Sequence, residues 1–275
     1  MADYYYVIAS LPGLSLEQRP SDQQLKEAWQ LIDRQVSEPV DRQAVLWFLY
    51  RNDIHNLVEH FQHKILDFPR RPLRQPASIN EEDLEQIEKD ASPLPFFLSE
   101  FYESHRSHMM AWNATEIENK WHQLFFESVQ KDAPPFIQQY FEFEDQLRRM
   151  TATFNTKHYS FLDPENRFLA KDLAKSISRG HEGLPENLQW NYPFLSELLK
   201  ALASGDLNRI TKQVHQSLWE RSESLAKGQY FNQTALLSYC ARLFLLFRRK
   251  HLIFNKEQPY REQLVALALK NTQIL

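Results

Sequence analysis

Residues 135–154 read PFIQQYFEFEDQLRRMTATF. Within them Phe136, Tyr140, Phe143, Leu147, Met150 and Phe154 recur in steps of 4, 3, 4, 3 and 4. That period puts six large apolar side chains on one stripe of an α-helix, a heptad-like seam suited to antiparallel packing in a bundle. Pro134 and Pro135 precede the stripe, and proline is well placed in the first turn of a helix. The spacing predicts a helix over 135–158.

Working outward, the same period returns almost everywhere. A helix is expected over about 114–131. Another is expected over about 41–66, with a face of Trp47, Tyr50, Ile54, Leu57, Phe61 and Ile65. Ser21-Asp22-Gln23-Gln24 has the form of a capping box, and Leu25, Ala28, Trp29, Ile32 and Val36 follow at helical spacing. Ser78-Ile79-Asn80-Glu81 opens a short acidic helix over about 80–90. Pro93 and Pro95 restart the chain into a helix reaching about Met110. Downstream, Asp163-Pro164-Glu165 opens a helix to about Arg179, closed by Gly180-His181-Glu182-Gly183. A loop is expected to Pro193, then helices over about 194–203, 206–221, 230–254 and 260–272. The start differs. Tyr4-Tyr5-Tyr6-Val7-Ile8-Ala9 is aromatic and β-branched and predicts a short extended segment before the turn at Leu11-Pro12-Gly13.

The expected fold is therefore all-α, a multi-helix bundle of ten or eleven helices with a short extended N-terminal segment. Pro69, Pro72 and Pro76, interleaved with Arg70, Arg71 and Arg74, forbid a helix and mark a linker. The expected segmentation is an N-terminal helical part over 1–66, a Pro/Arg-rich linker over 67–79, a central bundle over 80–180 and a C-terminal bundle over 181–275, or one compact unit.

Composition narrows the function classes. Only five of 275 residues are Gly, where average usage gives roughly 19. No G-x-G-x-x-G and no G-x-x-x-x-G-K-[ST] can be written from Gly13, Gly180, Gly183, Gly205 and Gly228, which excludes a Rossmann fingerprint and a P-loop. The formal net charge of −4 supplies no global basic field for nucleic acid. The longest near-apolar run, Ala241 to Phe247, is interrupted by Arg242 and is far short of a membrane span. The N-terminus lacks the basic start and apolar stretch of a signal peptide. The single Cys240 allows no internal disulfide, so a cytoplasmic location is expected.

Side chains that could carry chemistry read more simply as structure. His60/His63 and His105/His108 sit at i, i+3 spacing, which can bind a metal, yet no H-E-x-x-H and no Glu-x-x-His accompanies them. Glu81, Glu82, Asp83, Glu85 and Glu88 crowd a helix start, where the dipole favours acids. Cys240 falls on an apolar face and reads as a buried, inert thiol. No metal, cofactor or catalytic residue is expected, and no nucleic acid partner. Glu142, Glu144 and Asp145, with Arg148 and Arg149, lie between positions of the apolar seam and read as a partner-facing surface. Arg248, Arg249 and Lys250 form the densest basic patch and could meet an acidic partner.

Two stretches carry a family resemblance. Tyr4-Tyr5-Tyr6-Val7-Ile8-Ala9-Ser10-Leu11-Pro12 and Phe141-Glu142-Phe143-Glu144-Asp145-Gln146-Leu147-Arg148-Arg149-Met150, the latter followed by Phe154-Asn155-Thr156-Lys157, resemble a bacterial family encoded in V-type ATPase operons. That family is similar to the C-type subunit of V-type ATPases, known as the d-type in eukaryotes. Repeats of the C/d type carry an acidic residue, an Asn-Leu-like pair and then a basic residue. Arg51-Asn52-Asp53-Ile54-His55-Asn56-Leu57 through Lys64 resembles one such unit, and Glu144 through Lys157 a second in which Arg149 replaces the Asn. The resemblance implies an all-helical, C/d-like, non-catalytic part of a V-type ATPase or ATP synthase. Its partners would be the rotor shaft subunits and the membrane rotor ring, at the cytoplasmic side of the inner membrane. The competing expectation is a helical protein-binding adaptor unrelated to the ATPase. A helical hydrolase with a His-based metal site ranks third.

Overall fold

The computed structural model describes residues 4–17, 20–66, 72–87, 89–106, 114–158 and 186–254. Among them are eleven helices and no strand: α1 (Tyr4–Ser10), α2 (Asp22–Gln35), α3 (Pro39–Leu66), α4 (Glu81–Ile87), α5 (Phe96–His105), α6 (Ala114–Asp132), α7 (Pro135–His158), α8 (Glu186–Asn191), α9 (Leu195–Ala203), α10 (Leu207–Leu225) and α11 (Gln233–Phe254). The chain is all-α. Two helices expected from sequence, over 164–179 and 260–272, fall outside the described residues, as does the far end of the helix expected to reach Met110.

Two expectations are corrected. Tyr4–Ser10 is a helix, not an extended segment. An extended segment needs a neighbouring strand to satisfy its backbone N–H and C=O groups, and none lies among the described residues. A helix satisfies them internally, and the aromatic side chains find ring partners instead: Tyr5 meets Phe231 at 4.9 Å and Tyr6 at 5.7 Å between centroids. The loop expected before Pro193 contains the six-residue α8.

Local signals account for most helix ends. Ser21 caps α2: its hydroxyl accepts from Gln24 N–H at 3.2 Å, and Gln24 Oε1 accepts from Ser21 N–H at 2.8 Å. Pro39 and Pro135 occupy the first helical positions of α3 and α7. At α4 the reciprocal box forms between Asn80 and Asp83, at 2.8 and 2.9 Å, rather than through Ser78. Gly205, at φ +64°, closes α9, and Asp206 caps α10 through Asn208 N–H at 2.9 Å.

The described chain falls into two compact units, each discontinuous in sequence. The first comprises residues 1–8 and 122–238, the second residues 9–121 and 239–275. In the first, α10 packs on α7 and on α9. The α7 seam is buried as its period requires: Phe136, Tyr140, Leu147, Met150 and Phe154 are all buried, while Phe143 is half-buried and meets Phe194 edge-on at 4.9 Å. Phe125 of α6 meets Phe141 at 4.9 Å. Ser222 and Ser238, both buried, exchange hydrogen bonds between α10 and α11. In the second unit Phe244 of α11 lies 5.6 Å from Trp29 of α2 and 5.4 Å from Phe48 of α3. Phe61 bridges Tyr102 and Trp121. Residues 72–79, from the segment read as a linker, lie in this second unit against α3.

Candidate functional site

The charged run of α7 lies in the first unit. Glu142 is exposed, whereas Glu144 and Asp145 are buried. Asp145 Oδ1 accepts from Arg148 Nε at 3.3 Å and Nη2 at 3.2 Å, and its Oδ2 accepts from Arg149 Nε at 2.5 Å. Spacings of three and four residues put these groups side by side on the helix surface. The Arg148 guanidinium also stands over the Phe126 ring at 5.8 Å, and Arg221 of α10 stands over Phe143 at 5.7 Å. Such contacts hold long side chains in place. The structure thus brings Asp145, Arg148 and Arg149 together as one ionic cluster, with Glu142 on the surface.

The basic patch of α11 belongs to the second unit, and Arg248, Arg249 and Lys250 are all half-buried. Arg249 donates to the Leu16 carbonyl and Lys250 pairs with Asp22. The Tyr239 hydroxyl donates to the Pro12 carbonyl at 2.9 Å. These three contacts strap Pro12, Leu16 and Asp22 to α11.

Sequence reasoning missed a third feature, on α3. Asn52, Asp53 and Asn56 are buried, at 3 %, 0 % and 1 % exposure. Their side chains read the backbone of residues 74–79. Asn56 Oδ1 accepts from Arg74 N–H at 2.8 Å while its Nδ2 donates to the Arg74 carbonyl at 3.1 Å. Asn52 Nδ2 donates to the Pro76 carbonyl at 2.8 Å. Asp53 Oδ1 accepts from Ser78 N–H at 2.9 Å and Ile79 N–H at 3.1 Å, and its Oδ2 accepts from the Ser78 hydroxyl. Burial pushes the Asp53 carboxyl up to about 7 against the pull of those donors. Nearby on the same helix, His55 Nε2 lies 2.9 Å from Glu59 Oε1, and burial lowers the imidazole to about 4. The sequence signal was available: three amide or carboxylate residues within five positions of an otherwise apolar helix. They interrupt the apolar face without breaking its period.

The histidine pairs do not assemble. His60 is buried on α3, His105 stacks on Phe101 at 4.3 Å, and His108 lies outside the described residues. Among the described residues no group of three or more His, Cys, Asp or Glu could hold a metal ion. Cys240 is fully buried. No helix among the described residues is long and apolar enough to cross a membrane. Exposed aromatic side chains do gather in the first unit, where Tyr5, Tyr6, Tyr230 and Phe231 are 55 %, 70 %, 73 % and 52 % exposed.

A family model described as "Protein of unknown function (DUF2764)" matches residues 1–268. No curated protein matches the chain.

Proposed function

We propose that this chain, which belongs to the DUF2764 family of proteins of unknown function, is a non-catalytic, C/d-like part of a bacterial V-type ATPase or ATP synthase. In that role it couples the central rotor shaft to the membrane rotor ring from the cytoplasmic face of the inner membrane. The observation that carries the reading is the sequence resemblance at Tyr4–Pro12 and Phe141–Lys157. The helical build agrees with it, since a torque-bearing socket needs stiff, packed helices whose outer charges can grip a partner.

The charges of α7 fit that use. Asp145 orders Arg148 and Arg149 through contacts of 2.5–3.3 Å, so less side-chain entropy is lost when a partner docks. Glu142 stays on the surface beside them. On α11, Arg248 completes the basic patch whose neighbours Arg249 and Lys250 hold Leu16 and Asp22. A second reading, a helical adaptor for another protein, draws on the exposed Tyr5, Tyr6, Tyr230 and Phe231, because exposed aromatics are the residue types enriched at protein interfaces.

Affinity purification of the tagged chain from its native host in mild detergent tests both. Catalytic, shaft and ring proteins of the ATPase recovered at fixed ratio are the expected result. Recovery of a different partner, from extracts in which the ATPase stays intact, would overturn the ATPase reading and leave the adaptor.

A further inference from the structure

Six hydrogen bonds from three side chains of α3 hold residues 74–79, and every one of them reaches the backbone of that segment or the Ser78 hydroxyl. Contacts fall on residues 74, 76 and 78, every second residue, before Ile79 closes the set. Asn56 reads one residue through both N–H and C=O. Asn52 approaches Pro76 at its carbonyl, which is all that a proline backbone offers. Two side chains of the segment are themselves buried, Pro76 and, at 1 % exposure, Ile79. Recognition of this kind specifies Pro-x-x-Ile in an irregular, proline-bent backbone and little else.

The receiving groups are buried polar atoms. Emptied, they would carry the desolvation cost of unmade hydrogen bonds, so this face of α3 requires an occupant. The occupant it has is tied by side chains rather than by the regular backbone ladder of a helix or sheet, and such segments open at lower free energy than helix cores.

We propose that the Asn52-Asp53-Asn56 face of α3 is a peptide-binding site for a Pro-x-x-Ile segment of a partner protein, and that residues 72–79 occupy it as an intramolecular mimic. The covalent segment lowers the apparent affinity for an outside peptide by the fraction of time it is bound. The site is independent of the ATPase assignment.

The test uses the full chain and a fluorescein-labelled peptide, Pro72 to Asn80, read by anisotropy. Ser78→Pro removes one N–H and the hydroxyl from the mimic and should tighten peptide binding at least tenfold over the parent chain. Adding Asn56→Ala should undo most of that gain, and a peptide with Pro76→Ala and Ile79→Ala should bind neither protein. Absence of binding to folded Ser78→Pro overturns the proposal. So does formation of a dimer by the parent chain without peptide binding, which would assign the face to segment exchange between copies. Hydrogen exchange on the parent chain decides the case even if the variants fail to fold. The Arg74, Ser78 and Ile79 amides should exchange at least tenfold faster than the α3 amides over Ile54–Val58, and equal rates would overturn the proposal.

Discussion

Asp53 has no exposed surface and accepts three hydrogen bonds, yet its carboxyl titrates near 7. The folded chain therefore holds this proton more tightly than the unfolded chain, where the ordinary value of 3.8 applies. Stability from this group is complete below about pH 4 and is lost as pH rises to about 7. Asp53→Asn keeps the geometry, because its Oδ1 accepts from Ser78 and Ile79 N–H and its Nδ2 donates to the Ser78 hydroxyl. The expected outcome in urea unfolding is that the variant gains on the parent chain between pH 5 and pH 8. A gap that shrinks over that range would contradict the assignment. Cys240, fully buried with its thiol pushed up to about 12, should resist iodoacetamide at pH 8 until denaturant is added, which mass spectrometry reads directly. At this scale the sequence was only partly legible. Cys240 reads correctly as buried because its neighbours at helical spacing are apolar. Asn52, Asp53 and Asn56 do not, because polar residues in a helix default to solvent until a distant segment is known to cover them. Asp145 shows the same limit, for its partners at i+3 and i+4 are readable but its burial is not.

Helices were legible wherever their ends were written locally. Ser21 with Gln24, Pro39, Pro135 and the Gly205-Asp206 pair all mark boundaries that hold. Inside those boundaries the apolar period says which side chains a helix must bury. Met150→Ala, on the deepest part of the α7 seam at 0 % exposure, should cost about 2–5 kcal/mol in urea unfolding. A cost under about 1 kcal/mol would mean that the seam is not packed as described. The two failures share a cause. Tyr4–Ala9 has the composition of a strand and α8 the setting of a loop, but each is too short for periodicity to arbitrate, and intrinsic preference yields to the hydrogen-bonding options at hand. The count of eleven among the described residues matches the expected ten or eleven with different members. The helices α1 and α8 are additions, and those expected over 164–179 and 260–272 lie outside.

At the scale of the molecule, prolines and glycines suggest a segmentation into four consecutive pieces, whereas the described chain clusters into two interleaved units. Chain punctuation reports where helices stop. It carries no record of which helices meet, and Phe244 packing beside Trp29 and Phe48 is a meeting of residues from opposite ends of the sequence. The ATPase proposal makes its own demand here. Glu142 is exposed, so Glu142→Lys should leave the melting temperature within about 2 °C of the parent chain, as surface changes do. Recovery of the shaft subunits in the copurification should nevertheless fall severalfold. Unchanged recovery would remove Glu142 from the gripping surface.

The strap that ties Pro12, Leu16 and Asp22 to α11 bears on how the chain is made. Tyr239 and Pro12 are 227 positions apart, so a ribosome has emitted most of the protein before the first segment can meet the helix that holds it. Until then Trp29 and Phe48 lack the ring of Phe244. A nascent chain in this state displays aromatic surface for many seconds at ordinary elongation rates of about 5–20 residues per second. Chaperone capture during synthesis, read by profiling of chaperone-bound ribosomes, should accordingly concentrate on nascent chains that have not yet delivered α11.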